Sequence, residues 1–517
     1  MLSITMTMGE ALQAVTGARP DQEVFVCGET RMTNRQLRAE VDSATRGLFA
    51  RGVRKEDRVA ALLPPGREFV LLFFAAARLG AVFVPLSPDL REGTLAGILA
   101  DCEPRLVVRP GELLPPAADL SRAADPPPAA VDPGDLLALL YTSGTTGTPK
   151  ATMHTHSSLI APVMATIKVR ELWTRPSSLR IAAQAVKAFS RYGTRLLKAM
   201  GKPQTILSTT GWHTITGLHV MLQGLLMGDR LAVLPRFHPQ HALELVQRER
   251  VTVLIAVPTS WQAMVAMPDL DRYDTSSLIV CGAGGAASPP SLAREIQRRF
   301  KCAFYNGFGM TEMGGGVSVS SLADSDARQA ETVGKAMPGV EMRIVDEQRR
   351  ERAPGEVGEL AVRGPGVMSG YYRAPELTAQ VLDVDGWLYT GDMARIDEKG
   401  YIRVVGRKKD LIIRGGQNIY PVEIENHLAS HPKIAEAAVV GVPAAVGGES
   451  VWAFIRLKDN EAMSVREVLD HCRGVLEIYK IPSEVRFLEE FPRGEAGKPR
   501  KFELRAAAMK ERSGGGT

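Results

Sequence analysis

Tyr141-Thr142-Ser143-Gly144-Thr145-Thr146-Gly147-Thr148-Pro149-Lys150 is the stretch on which the reading of this chain turns. It packs Ser/Thr hydroxyls, two glycines and a lysine into one decapeptide. The apolar run Leu136-Leu137-Ala138-Leu139-Leu140 before it reads as a strand, and the His/Thr/Ser segment after it as the opening of a helix. Small residues let backbone N–H groups approach an oxyanion, hydroxyls add donors, and Lys150 supplies the charge that a polyphosphate needs. The spacing is not that of a Walker loop, in which lysine directly follows the second glycine. A plain Ser/Thr/Gly surface loop has the same composition, so the stretch alone leaves both readings open.

Outward from this loop, strand-like and helix-like patterns alternate. Before it, strands are expected at Val24–Cys27, Arg58–Leu63, Ala81–Pro85 and Leu106–Arg109. Helices are expected at Leu37–Arg51, behind a cap-like Thr33-Asn34-Arg35-Gln36, and at Phe69–Leu79. The Pro/Ala stretch Leu114–Pro133 reads as a linker. A second alternating stretch spans Thr205–Tyr305, with strands at Leu231–Leu234, Val253–Ala256, Leu278–Cys281 and Ala303–Tyr305. Such alternation predicts parallel α/β layers. From Thr332 to Val405 short strands and turns predict a small β-rich module, and after Gly406-Arg407-Lys408-Lys409-Asp410 an α+β tail begins.

The 517 residues exceed one ordinary core and imply two or more domains. A hydrophobic share of 45% and a charged share of 23% are those of a globular protein. The net charge of +5, without basic blocks interleaved with aromatics, excludes nucleic acid as an expected partner. Cys27, Cys102, Cys281, Cys302 and Cys472 are scattered, which argues against a zinc site or disulfide framework and suits a reducing cytosol. Met1–Ala14 carries Glu10 and no basic start, unlike a secretory signal, and no stretch reads as transmembrane. The expected location is cytoplasmic.

Four further stretches carry chemistry. Tyr305-Asn306-Gly307-Phe308-Gly309-Met310-Thr311-Glu312 sets an aromatic between glycines, suited to stacking on a planar ring, and ends in a hydroxyl and a hard carboxylate suited to phosphate and Mg²⁺. Tyr389-Thr390-Gly391-Asp392 offers a carboxylate to a pair of ribose hydroxyls, although an Asp in a turn is commonly structural. Gly406–Asp410 leads into Arg414-Gly415-Gly416-Gln417-Asn418, and Gly494-Glu495-Ala496-Gly497-Lys498 carries a lysine on a Gly-rich loop.

In this order and spacing the motifs resemble the adenylate-forming superfamily, which includes acyl-CoA synthetases, adenylation domains of peptide synthetases and beetle luciferases. The resemblance covers nearly the whole chain, and the tail with Asn418, Pro421-Val422-Glu423-Ile424-Glu425 and Gly497-Lys498 looks most like acyl-CoA ligases. It implies an α/β fold: a large N-terminal domain, 1–408, of two layered subdomains and a β-rich module, then a small mobile α+β domain, 409–517, with its hinge at Lys409. It implies ATP, Mg²⁺ and CoA, with Thr142, Ser143, Gly144, Thr145, Thr146, Gly147 and Lys150 around the β and γ phosphates. Gly284, Gly285 and Ala286 would line the seam between adenine and acyl group, beside Asn306, Gly307, Phe308 and Gly309. Phe308 stands where the family commonly has tyrosine and keeps the π face.

Under the same resemblance Thr311 contacts phosphate, Glu312 binds Mg²⁺, Asp392 holds the ribose and Arg407 supports it. His213 lies beside the acyl pocket, Gly415 and Gly416 accompany the thiol's route, and Lys498 approaches the carboxylate and α-phosphate. Ala151 and Ala444 depart from a usual glycine and aspartate at positions that carry no chemistry.

A carboxylate is a poor electrophile, so its oxygen must first become a leaving group. Attack on the α-phosphate of ATP makes an acyl-AMP and expels pyrophosphate; a thiol then takes the acyl group and releases AMP. Lys498 cannot fill the site while a thiol approaches, which gives the hinge its purpose. The expected acid is a lipophilic monocarboxylate, a medium- or long-chain fatty acid first and an aryl or alicyclic acid next, because Trp212, Ile215 and Leu218 offer an apolar wall without a second cation. An amine or a carrier-protein thiol is the alternative acceptor. Gly282-Ala283-Gly284-Gly285-Ala286-Ala287 also matches a dinucleotide fingerprint, but the next strand lacks the acidic residue expected for ribose.

Between Lys168 and Lys202 nine Lys/Arg face one acid, Glu171, and apolar residues recur at helical spacing. A basic amphipathic helix over 178–201 would give a peripheral membrane contact; the same pattern fits a solvated helix packed on the core. The expected assembly is a monomer or a homodimer.

Overall fold

The computed structural model describes residues 2–112, 126–127, 130–142, 149–174, 186, 202–286, 288–444, 448–493 and 499–514. The tip of the Ser/Thr/Gly loop (143–148), most of the basic stretch 168–202, most of the Pro/Ala linker and Lys498 therefore lie outside the described residues.

Two mostly parallel sheets flank a layer of helices. One sheet has five strands in the order Leu106–Val108, Arg58–Ala61, Val82–Pro85, Leu136–Thr142 and Lys150–Thr155, the last antiparallel. The other has nine strands and a parallel centre running from Ala303–Met310 through Val280–Ala283, Val253–Ala256, Thr205–Ser208 and Arg230–Ala232 to Glu23–Cys27. The helix Arg67–Leu79 is apolar all round and buries Phe69 to Ala77, so it must lie between layers. Phe69 and Phe73 meet Phe83 edge to face at 5.2 and 5.3 Å. Truncating Phe73 to alanine there costs about 3–5 kcal/mol. The helix Asn34–Ala50 starts as its capping box dictates, with Thr33 and Gln36 exchanging side-chain and backbone bonds.

Beyond the two sheets, Glu341–Val345, Gly358–Arg363, Leu388–Ile396 and Ile402–Arg407 form an antiparallel meander, the expected β-rich module. After the 3₁₀ turn Lys408–Asp410, residues from Ile412 to Ala508 bury cores of their own around a three-stranded sheet.

Two expectations change. Ala303–Tyr305 continues as a strand to Met310, because its glycines serve a close backbone pairing with Gly315–Val319 and do not make a turn. Lys150–Thr155 is a strand, and the expected helix begins only at His156. Among the described residues no helix is long and apolar enough to cross a membrane.

Candidate active site

The phosphate-loop candidate is a hairpin whose arms the structure describes. Thr142 pairs with Lys150 across its mouth, and Thr142 Oγ1 donates to the Lys150 carbonyl at 3.4 Å. An extended segment, residues 369–372, closes on the outgoing arm through one isolated bridge. Met153 donates to the Gly370 carbonyl and Tyr372 to the Ala151 carbonyl, both at 2.9 Å, with Thr152 bridging Tyr371. Gly370 has φ +141, and a Cβ there would lie 2.8 Å from Thr378 Cγ2, so glycine admits the turn that docks Tyr371.

The second motif comes up beside this edge. A Cβ on Gly309 would lie 2.2 Å from the Gly315 carbonyl oxygen, which only glycine tolerates. Asn306 is buried, its amide bonded to Ser320 Oγ, and Phe308 lies half-buried over the β-module core. A single 3₁₀ turn, Thr311–Met313, then carries Thr311 and Glu312. Two residues hold this turn to the loop's strand region: His154 Nε2 lies 2.8 Å from the Thr311 carbonyl, and the Tyr371 hydroxyl donates to Glu312 Oε1 at 2.8 Å. Burial pushes the His154 imidazole down to about 4, so near neutral pH it is uncharged and its Nε2–H donates. Burial and the Glu312 carboxylate push the Tyr371 phenol well up, keeping it a donor.

Glu312 is 9% exposed, and among the described residues Tyr371 is the one hydrogen-bond partner of its carboxylate. A buried carboxylate with a single neutral donor is under-compensated, and its hard oxygens fit a divalent cation. Lys150 Nζ sits over the Tyr371 ring, 5.5 Å from its centre.

The seam residues follow the strand Val280–Ala283. Gly285 has φ +79, and a Cβ on it would meet Thr216 Oγ1 at 3.4 Å and Val257 Cγ1 at 3.5 Å. Gly284 is open, with only Thr216 Cγ2 at 4.0 Å. Gly282, the first glycine of the dinucleotide fingerprint, is covered by the Tyr305 ring (2.4 Å from a built Cβ), and the next helix starts only at Pro290. That geometry leaves no cradle for a pyrophosphate at Gly282. His213 folds over Gly211, where a Cβ would lie 2.4 Å from His213 Cε1. Burial lowers His213 to about 4, with Asp89 pulling the other way.

Trp212 packs edge to face on Phe69 at 5.5 Å, and Ile215 and Leu218 join the same core, so these three stabilise the helix Ile215–Leu226 from behind. Thr216 faces Gly285, and His219 lies against Gly315, where a Cβ would come 2.8 Å from Nδ1. His219 is also lowered to about 4 by burial.

In the β-module Asp392 and Arg407 are register partners, with Arg407 Nε 2.7 Å from Asp392 Oδ1. Asp392 is 4% exposed, and Gly391 before it has φ +69. Glu359 accepts from the Gly391 amide at 3.0 Å and pairs with Lys408 Nζ at 2.9 Å, steadying both the turn and the chain just before Lys409. The hairpin Ile412–Arg414/Gln417–Ile419 turns through Gly415 (φ +57) and Gly416 (φ +77), with nothing within 4 Å of a Cβ at either. Its strands are fastened to the C-terminal region, through Glu449 to the Ile413 amide and Arg414 to the Tyr479 carbonyl.

Sequence reasoning missed Tyr371, His154 and Glu359. Tyr371 meets its partner 59 residues away, and no local pattern records such a contact.

The family model for AMP-binding enzymes matches residues 12–372, and that for the AMP-binding enzyme C-terminal domain matches 423–498. The chain is 36% identical over 495 residues to a feruloyl-CoA synthase of Amycolatopsis sp, covering 92% of this chain and 94% of that protein. It is 33% identical to the medium-chain fatty-acid–CoA ligase of Escherichia coli (strain K12), covering 90% and 83%. The solved structure of the anthranilate CoA ligase AuaEII with anthranoyl-AMP superimposes with a TM-score of 0.85 at 26% identity, covering 99% of each chain. With both family models matched and these relatives spanning nearly its full length, the chain belongs to the AMP-binding, adenylate-forming enzymes.

Proposed function

We propose that the protein is an ATP-dependent acid–CoA ligase that makes an acyl-AMP from a lipophilic monocarboxylic acid and passes the acyl group to CoA. The observation that carries the proposal is the bonding of the loop's strand region to the Thr311–Glu312 turn, through His154 and Tyr371 at 2.8 Å each. It sets a cation, a hydroxyl and an anion around one spot, as a triphosphate with its metal requires.

In this reading Thr142 to Gly147 and Lys150 bind the β and γ phosphates, and Thr311 binds the α-phosphate. Glu312 would hold Mg²⁺, which when bound neutralises charge on the phosphates. Phe308 stacks on adenine beside Asn306, Gly307 and Gly309, and Asp392, aligned by Arg407, takes the ribose hydroxyls. The acid's carboxylate lies near Gly284, Gly285, Ala286 and His213. Lys498 reaches the α-phosphate and acid from domain 409–517, so two anions meet without repelling. Rotation about Lys409 then withdraws Lys498 and brings Gly415 and Gly416 to the thiol's path. The open space around that hairpin tip fits a resting place away from the site.

Burial holds His213 uncharged, which agrees with an acyl pocket for a lipophilic acid. The CoA ligases among the relatives agree with a thiol acceptor. Preformed acyl-AMP offered CoA, simple amines and a phosphopantetheinyl carrier protein tests this. Discharge by CoA is expected; discharge by an amine alone would make the enzyme an amide synthetase.

A further inference from the structure

Between the two charges that this chemistry needs sits a residue outside all five motifs. Tyr371 presents its ring to the Lys150 ammonium at 5.5 Å and its hydroxyl to Glu312 Oε1 at 2.8 Å. Its backbone is fixed independently of either contact, by the bridge to Thr152 and by its amide's bond to Thr378 Oγ1 at 2.9 Å. Among the described residues no acid pairs with Lys150 and no cation with Glu312.

An ammonium and a buried carboxylate that touch the same side chain attract one another and pair directly where nothing stands between them. Such a pair would silence both, since each would satisfy the other and not the nucleotide. A phenol is suited to prevent this. Its π face attracts the cation weakly enough to release it, and its O–H occupies one carboxylate lone pair while leaving the second oxygen for a metal.

We propose that Tyr371 is a positioning residue for adenylation, which orients Glu312 for Mg²⁺ and holds Lys150 apart from it. The inference rests on the roles of Glu312 and Lys150 given above. A hydrogen bond to a charged group is worth about tenfold or more in a binding constant. Tyr371→Phe keeps the ring and removes only the hydroxyl, so metal affinity should fall about tenfold while ATP affinity in the absence of metal stays unchanged. Tyr371→Leu removes both contacts and should weaken ATP as well.

The test titrates Mn²⁺ into the full-length protein with ATP and reads free Mn²⁺ by electron paramagnetic resonance, alongside the thermal midpoint. Weaker Mn²⁺ binding by Tyr371→Phe, together with exchange activity recovered at raised Mg²⁺, supports the proposal. A lowered midpoint with wild-type Mn²⁺ binding overturns it, because a merely structural tyrosine would behave so. Thr378→Val, which removes the acceptor of the Tyr371 amide, provides a second variant and should weaken Mn²⁺ in the same direction by a smaller factor. Glu312→Gln separates the two levels of the argument. If it binds Mn²⁺ like the wild type, the metal role of Glu312 is itself wrong; if it loses Mn²⁺ while Tyr371→Phe does not, only the positioning role falls.

Discussion

Replacing His156 by asparagine should flatten the acid side of the protein's stability curve. His156 opens the helix His156–Thr174 and is fully buried; its Nδ1 accepts from the Met8 amide at 3.0 Å, at the start of the helix Met8–Ala18. An acceptor must be unprotonated, and a second proton would set two N–H groups against each other at the positive end of a helix. Burial, the largest cause, pushes the imidazole from its ordinary 6.5 down to about 4, although Asp135 and Glu10 pull it up. The unfolded chain therefore takes up a proton that the folded one refuses. The stability from a neutral His156 is complete above about pH 6.5 and is lost as pH falls through the window down to about 4.

With those two values the loss at pH 5 comes to about 2 kcal/mol. Asparagine places Oδ1 where Nδ1 accepts and does not titrate. The other buried histidines titrate in both proteins and cancel in the difference. Urea unfolding of wild type and His156→Asn, followed by Trp212 and Trp261 emission, should give stabilities that converge by about 2 kcal/mol between pH 7.5 and pH 5. Parallel losses in the two proteins would refute the claim that His156 is held neutral by its burial.

The remaining expectations concern the chemistry. Lys498→Ala should lower acyl-AMP formation by about 10² or more and leave conversion of supplied acyl-AMP to acyl-CoA intact; equal loss in both half-reactions would end the division of labour. Gly416→Leu has room for its side chain but adopts φ +77, so about 1–2 kcal/mol of stability should go while adenylation survives and thioester formation fails. Acyl-CoA made at the wild-type rate would refute the rotating domain. Across a series of straight-chain acids, catalytic efficiency should rise by about fourfold per methylene and then break where the pocket ends; a preference for acetate or malonate would exclude a lipophilic pocket.

What the sequence revealed was local, and what it hid was contact between distant segments. Thr33 and Gln36 announced their helix because a capping box closes within one turn. The α/β alternation and the change to short strands after Thr332 survived because each depends on pattern within a few residues. The strand to Met310 was hidden because glycine normally weakens a strand, and only the Gly315 carbonyl pressing on Gly309 explains its presence. Trp212, Ile215 and Leu218 read as a pocket wall because hydrophobicity marks burial and not which cavity is lined; the Phe69 ring on the far side decides that they are core. The glycine-rich motifs stood out in the sequence because each is a run of adjacent residues. Tyr371 and His154 did not, since their partners, Glu312 and Thr311, lie 59 and 157 residues away.

On the proposed function, this chain activates a carboxylic acid by forming its adenylate before any acceptor binds. Exchange of radiolabelled pyrophosphate into ATP, measured without CoA over short-, medium- and long-chain and aromatic acids, tests it most directly. Exchange should require the acid and Mg²⁺, proceed without CoA, and be strongest with a lipophilic monocarboxylate. ATP consumed to ADP and phosphate, or no exchange with any acid while ATP still binds, would contradict it.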